Sequence, residues 1–145
     1  MTIVKKTAEA TINKPAKEIW DIIGSFTEIA WIPGSESATA KMDGDLRTVS
    51  RESWDKIGFS LKQRLTQHSD TDFVYSYILP EPVNFEKIAG PGKIANKIDG
   101  TLKVTPITSE QSRVTWELET EDFLIDGAFR EYQKALDTVK AQLEG

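Results

Sequence analysis

The first third of the chain alternates in polarity and then changes to helical spacing. Residues 2–12 place apolar and polar side chains in turn, which is typical of a strand with one buried face. Pro15 suits the first turn of a helix. Apolar residues then recur at helical spacing and predict a core-facing stripe: Ala16, Ile19, Trp20 and Ile23. Residues 26–31 predict a second short helix, which Pro33-Gly34 ends.

From residue 36 to residue 121 the pattern predicts antiparallel strands. Asp43-Gly44 is a hairpin signal. Residues 80–95 interrupt the rhythm with prolines and glycines, and predict an irregular, mobile lid. The predicted strands lie at 36–42, 46–54, 59–68, 73–79, 96–107 and 111–121. In the last of them Val114, Trp116 and Leu118 share one face, and Glu117, Glu119 and Glu121 share the other.

A long amphipathic helix is predicted over residues 125–144. Its apolar stripe is Phe129, Tyr132, Leu136, Val139 and Leu143, opposite the charged Glu131, Lys134, Asp137 and Lys140. This element order predicts an α+β fold in which an antiparallel sheet curls around the helix. Because the small residues Ala128 and Ala135 alternate with large ones on the helix face, we expect a cavity rather than a packed core.

Composition limits the chemistry and the partners. The 145 residues fit one domain, 1–145, and 23 acidic against 18 basic residues give a net charge of −5, which argues against nucleic-acid binding. With no cysteine and one histidine, thiol catalysis and multi-histidine metal sites are excluded, and no cofactor motif is present. The sequence has no apolar run of membrane-spanning length and no signal-peptide core, so we expect a cytoplasmic protein.

Three motifs favour structural over chemical interpretations. His68 stands at a predicted exposed turn, where a surface role is expected. Residues 89–93 hint at a phosphate loop but lack the required spacing, and Pro91 removes a donor N–H. Asp70 and Asp72 lack the ligand pattern of a calcium loop and are interpreted as turn residues.

Six segments in order resemble the START-like superfamily, which includes polyketide cyclase/dehydrase and Bet v 1-like proteins. They are INKPAKEIWDIIGSFTEIAWIPG, DGDLRTVSRES, LKQRLTQHSDTDFVYSYIL, DGTLKVTPI, SRVTWELET and the C-terminal helix, and they cover almost the whole chain. The resemblance implies a helix-grip fold: a curved seven-stranded antiparallel sheet wrapped around the long helix, with two short helices near the N-terminus. It also implies an apolar cavity that holds a hydrophobic or aromatic small molecule.

The chain departs from that pattern in two places. Gln63 stands where the family has a glutamate, so a negative charge is missing. Residues 81–98 replace a shorter loop, and Ile98 stands in place of its tyrosine.

Polar side chains on inward-facing positions suggest a site inside the cavity. Tyr75 and Tyr77 share one strand face, and Tyr132 lies within the helix stripe. Buried hydroxyls need partners, so we interpret the three as a polar spot, the alternative being that each reaches water. Gln63 shares a face with leucines, which favours a cavity over a packed core. We expect ligand contacts at Trp31, Val49, Gln63, Tyr75, Phe85, Ile98, Trp116 and Ala128.

Arg51 has two open interpretations. Arg47, Val49 and Arg51 share one face of the predicted strand at 46–54, and the resemblance turns that face toward the ligand. An inward guanidinium needs an anion or acceptors, such as a carboxylate, phenolate or developing enolate. Alternatively Arg51 points outward and pairs with a surface acid.

Three functions remain at this point. The favoured one is a cofactor-free enzyme of the cyclase, dehydratase or lyase type, with Arg51, Tyr77 and Tyr132 as catalytic residues acting on an aromatic or polyketide-like molecule. The alternatives are a non-catalytic carrier or sensor of a hydrophobic molecule, and a co-chaperone-type interaction domain. We expect a monomer or homodimer with neither metal nor cofactor.

Overall fold

A computed structural model describes residues 2–33 and 39–145. In chain order the elements are β1 (Ile3–Ile12), α1 (Ala16–Ile23), β2 (Thr39–Asp43), β3 (Leu46–Ser50), α2 (Glu52–Asp55), β4 (Leu61–Ser69), β5 (Val74–Ile78), β6 (Val83–Asn84), α3 (Glu86–Ala89), β7 (Ile94–Ala95), β8 (Ile98–Thr108), β9 (Gln111–Glu121) and α4 (Asp122–Glu144). The predicted fold class is confirmed, because one antiparallel sheet of seven strands accompanies a long C-terminal helix.

The sheet order is β1-β9-β8-β5-β4-β3-β2, so the first and last strands of the chain are neighbours. Strand β1 pairs with β9 along its whole length, from Ile3 opposite Glu121 to Ile12 opposite Ser112. The short strands β6 and β7 form a separate hairpin. Every neighbouring pair in the large sheet is antiparallel, which allows one face to be buried while the other is in water.

Helix α4 packs against one half of the inner face of the sheet and does not fill the space over the other half. Its contacts run mainly to β1 and β9, and its buried face is built from Ile125, Ala135, Leu136 and Val139. Strands β3, β4 and β5 continue away from the helix, and the inner face that they present is not filled by it. The helix therefore closes one half of the sheet and creates space over the other half.

Two predicted elements differ from the structure. Residues 26–31 form bends and a turn rather than a second helix, because Ser25 Oγ accepts the amides of Thr27 and Glu28 and a segment this short gains little from helical nucleation. The strand predicted at 46–54 stops at Ser50, and the helical turn α2 follows it. Residues 36–38 of the predicted first hairpin strand and Gly34 lie outside the described residues.

One of the three glutamates that share a face of the last strand is buried. Glu121 is only 2% exposed, and its carboxylate accepts the backbone amide of Asn96 at 2.6 Å. Alternation fails at this position because Glu121 immediately precedes α4, where the chain turns out of the strand. The predicted irregular stretch at 80–95 contains the β6–β7 hairpin and the turn α3.

A glycine allows the sheet to carry one of its large inward residues. Gly100 on β8 lies opposite Tyr77 on β5, and a Cβ atom at Gly100 would come within 2.2 Å of the Tyr77 ring. The ring therefore lies flat against the backbone of the neighbouring strand. This close approach holds Tyr77 in a fixed position on the inner face.

We expect Gly100→Ala to lower the free energy of unfolding by about 1–3 kcal/mol, because the methyl group must displace the buried ring. Gly127→Ala is the matched control: this exposed position in α4 has only an ordinary contact at 3.9 Å, so alanine should stabilise the helix by up to about 1 kcal/mol. Chemical denaturation measures both values. Equal effects at the two positions would contradict the close approach.

Candidate functional site

An open cavity of about 690 Å³ lies between the inner face of the sheet and α4. This volume is in the range of small-molecule binding sites. Strands β3, β4, β5, β8 and β9 form one wall, α4 forms the opposite wall, and residues around α2, α3 and Ile29–Ile32 surround the opening. Most of the wall is apolar, and a few polar side chains interrupt it at defined places.

A buried arginine forms the first polar site in the cavity wall. Arg47 on β3 is 5% exposed, donates from Nη1 to the carbonyl oxygen of Phe26 at 2.7 Å, and donates from Nε to Gln63 Oε1 at 3.0 Å. Its Nη2 also bonds to Gln63 Oε1, and its Cζ lies 3.8 Å from the centre of the Phe26 ring. Among the described residues no carboxylate forms an ion pair with it. The cavity wall therefore holds a positive charge that only neutral groups surround.

Three aromatic residues form a second polar site in the cavity wall, a hydrogen-bond network. The hydroxyl groups of Tyr77 and Tyr132 are 2.7 Å apart, and Trp116 Nε1 donates to the Tyr77 oxygen at 3.3 Å. The ring of Trp116 stacks on that of Tyr132, with centroids 3.7 Å apart and planes 10° apart. This network joins β5, β9 and α4 across the cavity. Two of the three tyrosines expected to form a polar spot, Tyr77 and Tyr132, are thus hydrogen-bonded to each other, and Tyr75 is not part of this network.

Burial keeps the tyrosine hydroxyls neutral. Loss of hydration raises the pKa of Tyr75 to about 12, although the positive charge of Arg47 acts in the opposite direction. The same loss of hydration raises the pKa of Tyr77 and lifts that of Tyr132 well above its usual value. At neutral pH these groups therefore donate hydrogen bonds and do not act as bases.

A second arginine lies at the opening of the cavity. Arg51 follows the end of β3, its Cζ lies 4.2 Å from the centre of the Trp54 ring, and its Nη1 is 3.8 Å from Glu131 Oε1. The Arg51 side chain therefore lines the cavity and also lies near an acid on α4. Its contact with a ligand stays a prediction. Phe85 and Ile88 complete this side of the opening. That residues 80–95 form a mobile lid stays a prediction, and hydrogen exchange of their backbone amides tests it.

Most residues expected at the site come together in this cavity. Its described lining includes Val49, Arg51, Gln63, Tyr75, Tyr77, Phe85, Ile98, Trp116, Ala128 and Tyr132. Trp31 is not among the described lining residues. Its ring lies 5.5 Å from that of Trp116, which does line the cavity, and a contact between Trp31 and a ligand stays a prediction.

The lining also includes residues that were not expected, among them Arg47, Trp54 and Glu131. Arg47 shares a strand face with Val49, and that alternation was the available signal for it. Trp54 lies in the helical turn α2, beyond the end of β3, and borders the cavity there. Glu131 was assigned to the wet face of the helix; its side chain is 55% exposed, yet it borders the cavity beside Tyr132.

The cavity contains few groups that could act as a base. Glu131 is the only carboxylate among its described lining residues. His68 lies elsewhere, with Nε2 at 3.0 Å from the carbonyl oxygen of Gly24 and its ring beside Trp20. Within residues 2–33 and 39–145, no group of three histidine, cysteine, aspartate or glutamate side chains is arranged to hold a metal ion.

Comparison with known proteins gives a family and a fold. The family described as polyketide cyclase / dehydrase and lipid transport matches residues 4–144. No curated protein matches the chain significantly. Over its described residues the chain has no helix that is long and apolar enough to cross a membrane.

Several solved structures share the fold at low identity. An uncharacterised Bacillus thuringiensis protein is 19% identical with a TM-score of 0.72, covering 98% of this chain and 100% of its own. The Zhui aromatase/cyclase from a Streptomyces species is 11% identical with a TM-score of 0.68, covering 99% and 94%. Norcoclaurine synthase from Thalictrum flavum, in complex with dopamine and hydroxybenzaldehyde, is 14% identical with a TM-score of 0.63, covering 99% and 88%.

The raised tyrosine pKa values predict an unusual alkaline titration. All three tyrosines of the chain border the cavity, so tyrosinate absorbance reports on the site alone. We expect less tyrosinate at pH 10 in the folded protein than in the chain unfolded in guanidinium, which should titrate near 10. Because the folded state holds these protons more tightly, stability should fall as the pH rises from about 10 through 12. A step near pH 10 in the folded protein would contradict this picture.

Proposed function

The chain belongs to the polyketide cyclase / dehydrase and lipid transport family, and from this premise we propose that it is a cofactor-free enzyme of the cyclase, dehydratase or lyase type. Its substrate is a small aromatic or polyketide-like carbonyl compound held in the cavity between the sheet and α4. One observation carries the proposal: the guanidinium of Arg47 is buried, and its hydrogen-bond partners among the described residues are neutral. It lies in the same cavity wall as the hydroxyl of Tyr77.

These groups suit a reaction that builds negative charge on an oxygen. When a proton leaves the carbon next to a carbonyl group, the electron pair moves to the oxygen and forms an enolate. Donors that are already oriented in a site of low polarity stabilise such a charge without reorganising. Arg47 supplies the opposite charge. The hydrogen-bonded pair of Tyr77 and Tyr132 supplies a neutral donor, because burial raises the pKa of both hydroxyls and one O–H of the pair is not used in their mutual bond.

Because the cavity has few groups that could act as a base, its substrate must contain a carbon that loses a proton readily. Carbon atoms between two carbonyl groups lose a proton readily, so their enolates form with water as the acceptor once the oxygen is stabilised. Polyketide-like chains contain such carbons, and simple ketones do not. An enolate can then attack a second carbonyl to close a ring, or expel a neighbouring hydroxyl group, which leaves as water after taking a proton. Neither step needs a redox cofactor.

The carrier function remains the alternative, and the mostly apolar lining favours it. A carrier must release its ligand unchanged. A pair of buried donors and a buried cation adds nothing to the binding of a plain hydrocarbon, because burying polar groups costs free energy. The two functions are therefore separated by whether a carbonyl compound is altered.

We expect the protein to accelerate loss of water from a β-hydroxy ketone whose acidic carbon lies between two carbonyl groups and bears the aryl carbinol: that carbon loses its proton, and the enolate expels the hydroxyl group, which leaves as water. The conjugated enone product absorbs in the near ultraviolet, which gives the rate directly. Tyr77→Phe and Tyr132→Phe keep the ring packing and remove one donor each, and should lower kcat about 10- to 100-fold. Arg47→Met should lower it about 100- to 1,000-fold, as removal of an oxyanion donor does.

Arg64→Gln is the control for the loss of an arginine. Arg64 is partly exposed, pairs with Asp45 at 2.9 Å and is not among the described lining residues, so its rate should equal that of the unchanged protein. Binding of the ketone without any turnover would contradict the enzymatic proposal and support the carrier. Equal losses in Arg64→Gln and Arg47→Met would remove Arg47 from the site.

A further inference from the structure

The opening of the cavity carries an excess of positive charge. Its described lining includes Arg51, Arg130 and Lys134 against one carboxylate, Glu131, and Arg130 also attracts Asp126 outside that lining. The chain as a whole has a net charge of −5, so this excess runs against the balance of the molecule. A concave site with one sign of charge raises the local concentration of small ions of the opposite sign.

The Trp54 ring holds Arg51 in place, and one donor of Arg51 has no hydrogen-bond partner among the described residues. Its guanidinium lies over the Trp54 ring at 4.2 Å, and the side chain is only 17% exposed. Its Nε is buried and, among the described residues, makes no hydrogen bond. An unmet donor on a buried charged group costs free energy, so a ligand that supplied an acceptor there would gain from it.

Glu131 does not fill that role. The separation of 3.8 Å between Arg51 Nη1 and Glu131 Oε1 exceeds hydrogen-bond distance. The Glu131 side chain is 55% exposed, so water screens the attraction between the two charges. The fork of Arg51 donors is therefore free to take the two oxygens of an incoming carboxylate, which is the geometry that guanidinium groups match best.

We propose that the cavity selects aromatic or polyketide-like molecules that carry a carboxylate, and that Arg51 binds this carboxylate at the opening. This inference rests on the proposed function of the cavity as a binding site and narrows its ligand to a class of acids. The carboxylate end lies at Arg51, and the neutral end extends toward Arg47 and Tyr77. Glu131 competes with the ligand for Arg51 and so weakens the binding of acids.

Naphthalene carboxylate and naphthalene carboxamide test the proposal, because they share shape and differ in charge. Isothermal titration calorimetry at low and high salt should give tighter binding of the acid, with a difference that shrinks as salt screens the opening. Arg51→Gln should weaken binding of the acid about 10- to 100-fold and change binding of the amide less than about twofold. Arg51→Lys should retain part of the preference, because it keeps the charge but loses the fork.

Two further variants separate recognition from general effects. Glu131→Gln should tighten binding of the acid about two- to fivefold, a gain that a structural role for Arg51 would not produce. Arg64→Gln removes the same charge from a position outside the described lining and should leave both affinities unchanged.

Equal affinities for acid and amide in the unchanged protein would overturn carboxylate selection and leave cavity binding intact. Failure of both compounds to bind would count against the proposed binding function as well. Equal weakening of acid binding by Arg51→Gln and Arg64→Gln would overturn the role of Arg51, since it would mean that overall charge alone governs the affinity.

Discussion

A guanidinium group inside a protein must be surrounded by acceptors, and one wall of the cavity is organised by that requirement at Arg47. Its donors fix the carbonyl of Phe26 and the amide of Gln63, so a turn near the N-terminus is joined to β3 and β4. The Phe26 ring packs against the guanidinium face. Since these partners are all neutral, the positive charge remains available to whatever enters the cavity.

The position of α4 explains why there is a cavity for that charge to face. The helix packs on β1 and β9, while the strands that carry Arg47, Gln63 and Tyr77 lie farther along the sheet order. Tyr132 extends from the helix to Tyr77, and their hydroxyl groups are in direct contact. The polar groups therefore belong to two walls, and a ligand beside this contact can meet both.

Regular alternation made much of this arrangement predictable. The antiparallel strands, the long helix, and the shared face of Tyr75 and Tyr77 follow from side-chain periodicity, which burial of one face enforces. The inward direction of Val49 came from the resemblance, because alternation alone did not say which face of its strand is buried. The resemblance to the START-like superfamily supplied the helix-grip architecture. What periodicity could not give was the behaviour of residues where a strand ends, because the local turn sets the direction of each side chain there.

Arg51, Trp54 and Glu121 illustrate that limit. The first two follow β3 and turn toward the opening through α2, and Glu121 is buried at the junction with α4. Arg47 lay within the regular part of β3, but its importance depends on Gln63 and Phe26, which are distant in the sequence. Contacts of this kind depend on the register between strands, and a single sequence does not state that register.

The most direct measurement of the central claim is a crystal structure of the protein with the saturated ketone analogue of the β-hydroxy ketone, which cannot lose water. The account predicts that its carbonyl oxygen lies within hydrogen-bond distance of Arg47 or Tyr77, with the aryl group between Trp116 and the opening. A ketone bound outside the cavity, or one whose carbonyl oxygen points away from both residues, would contradict it.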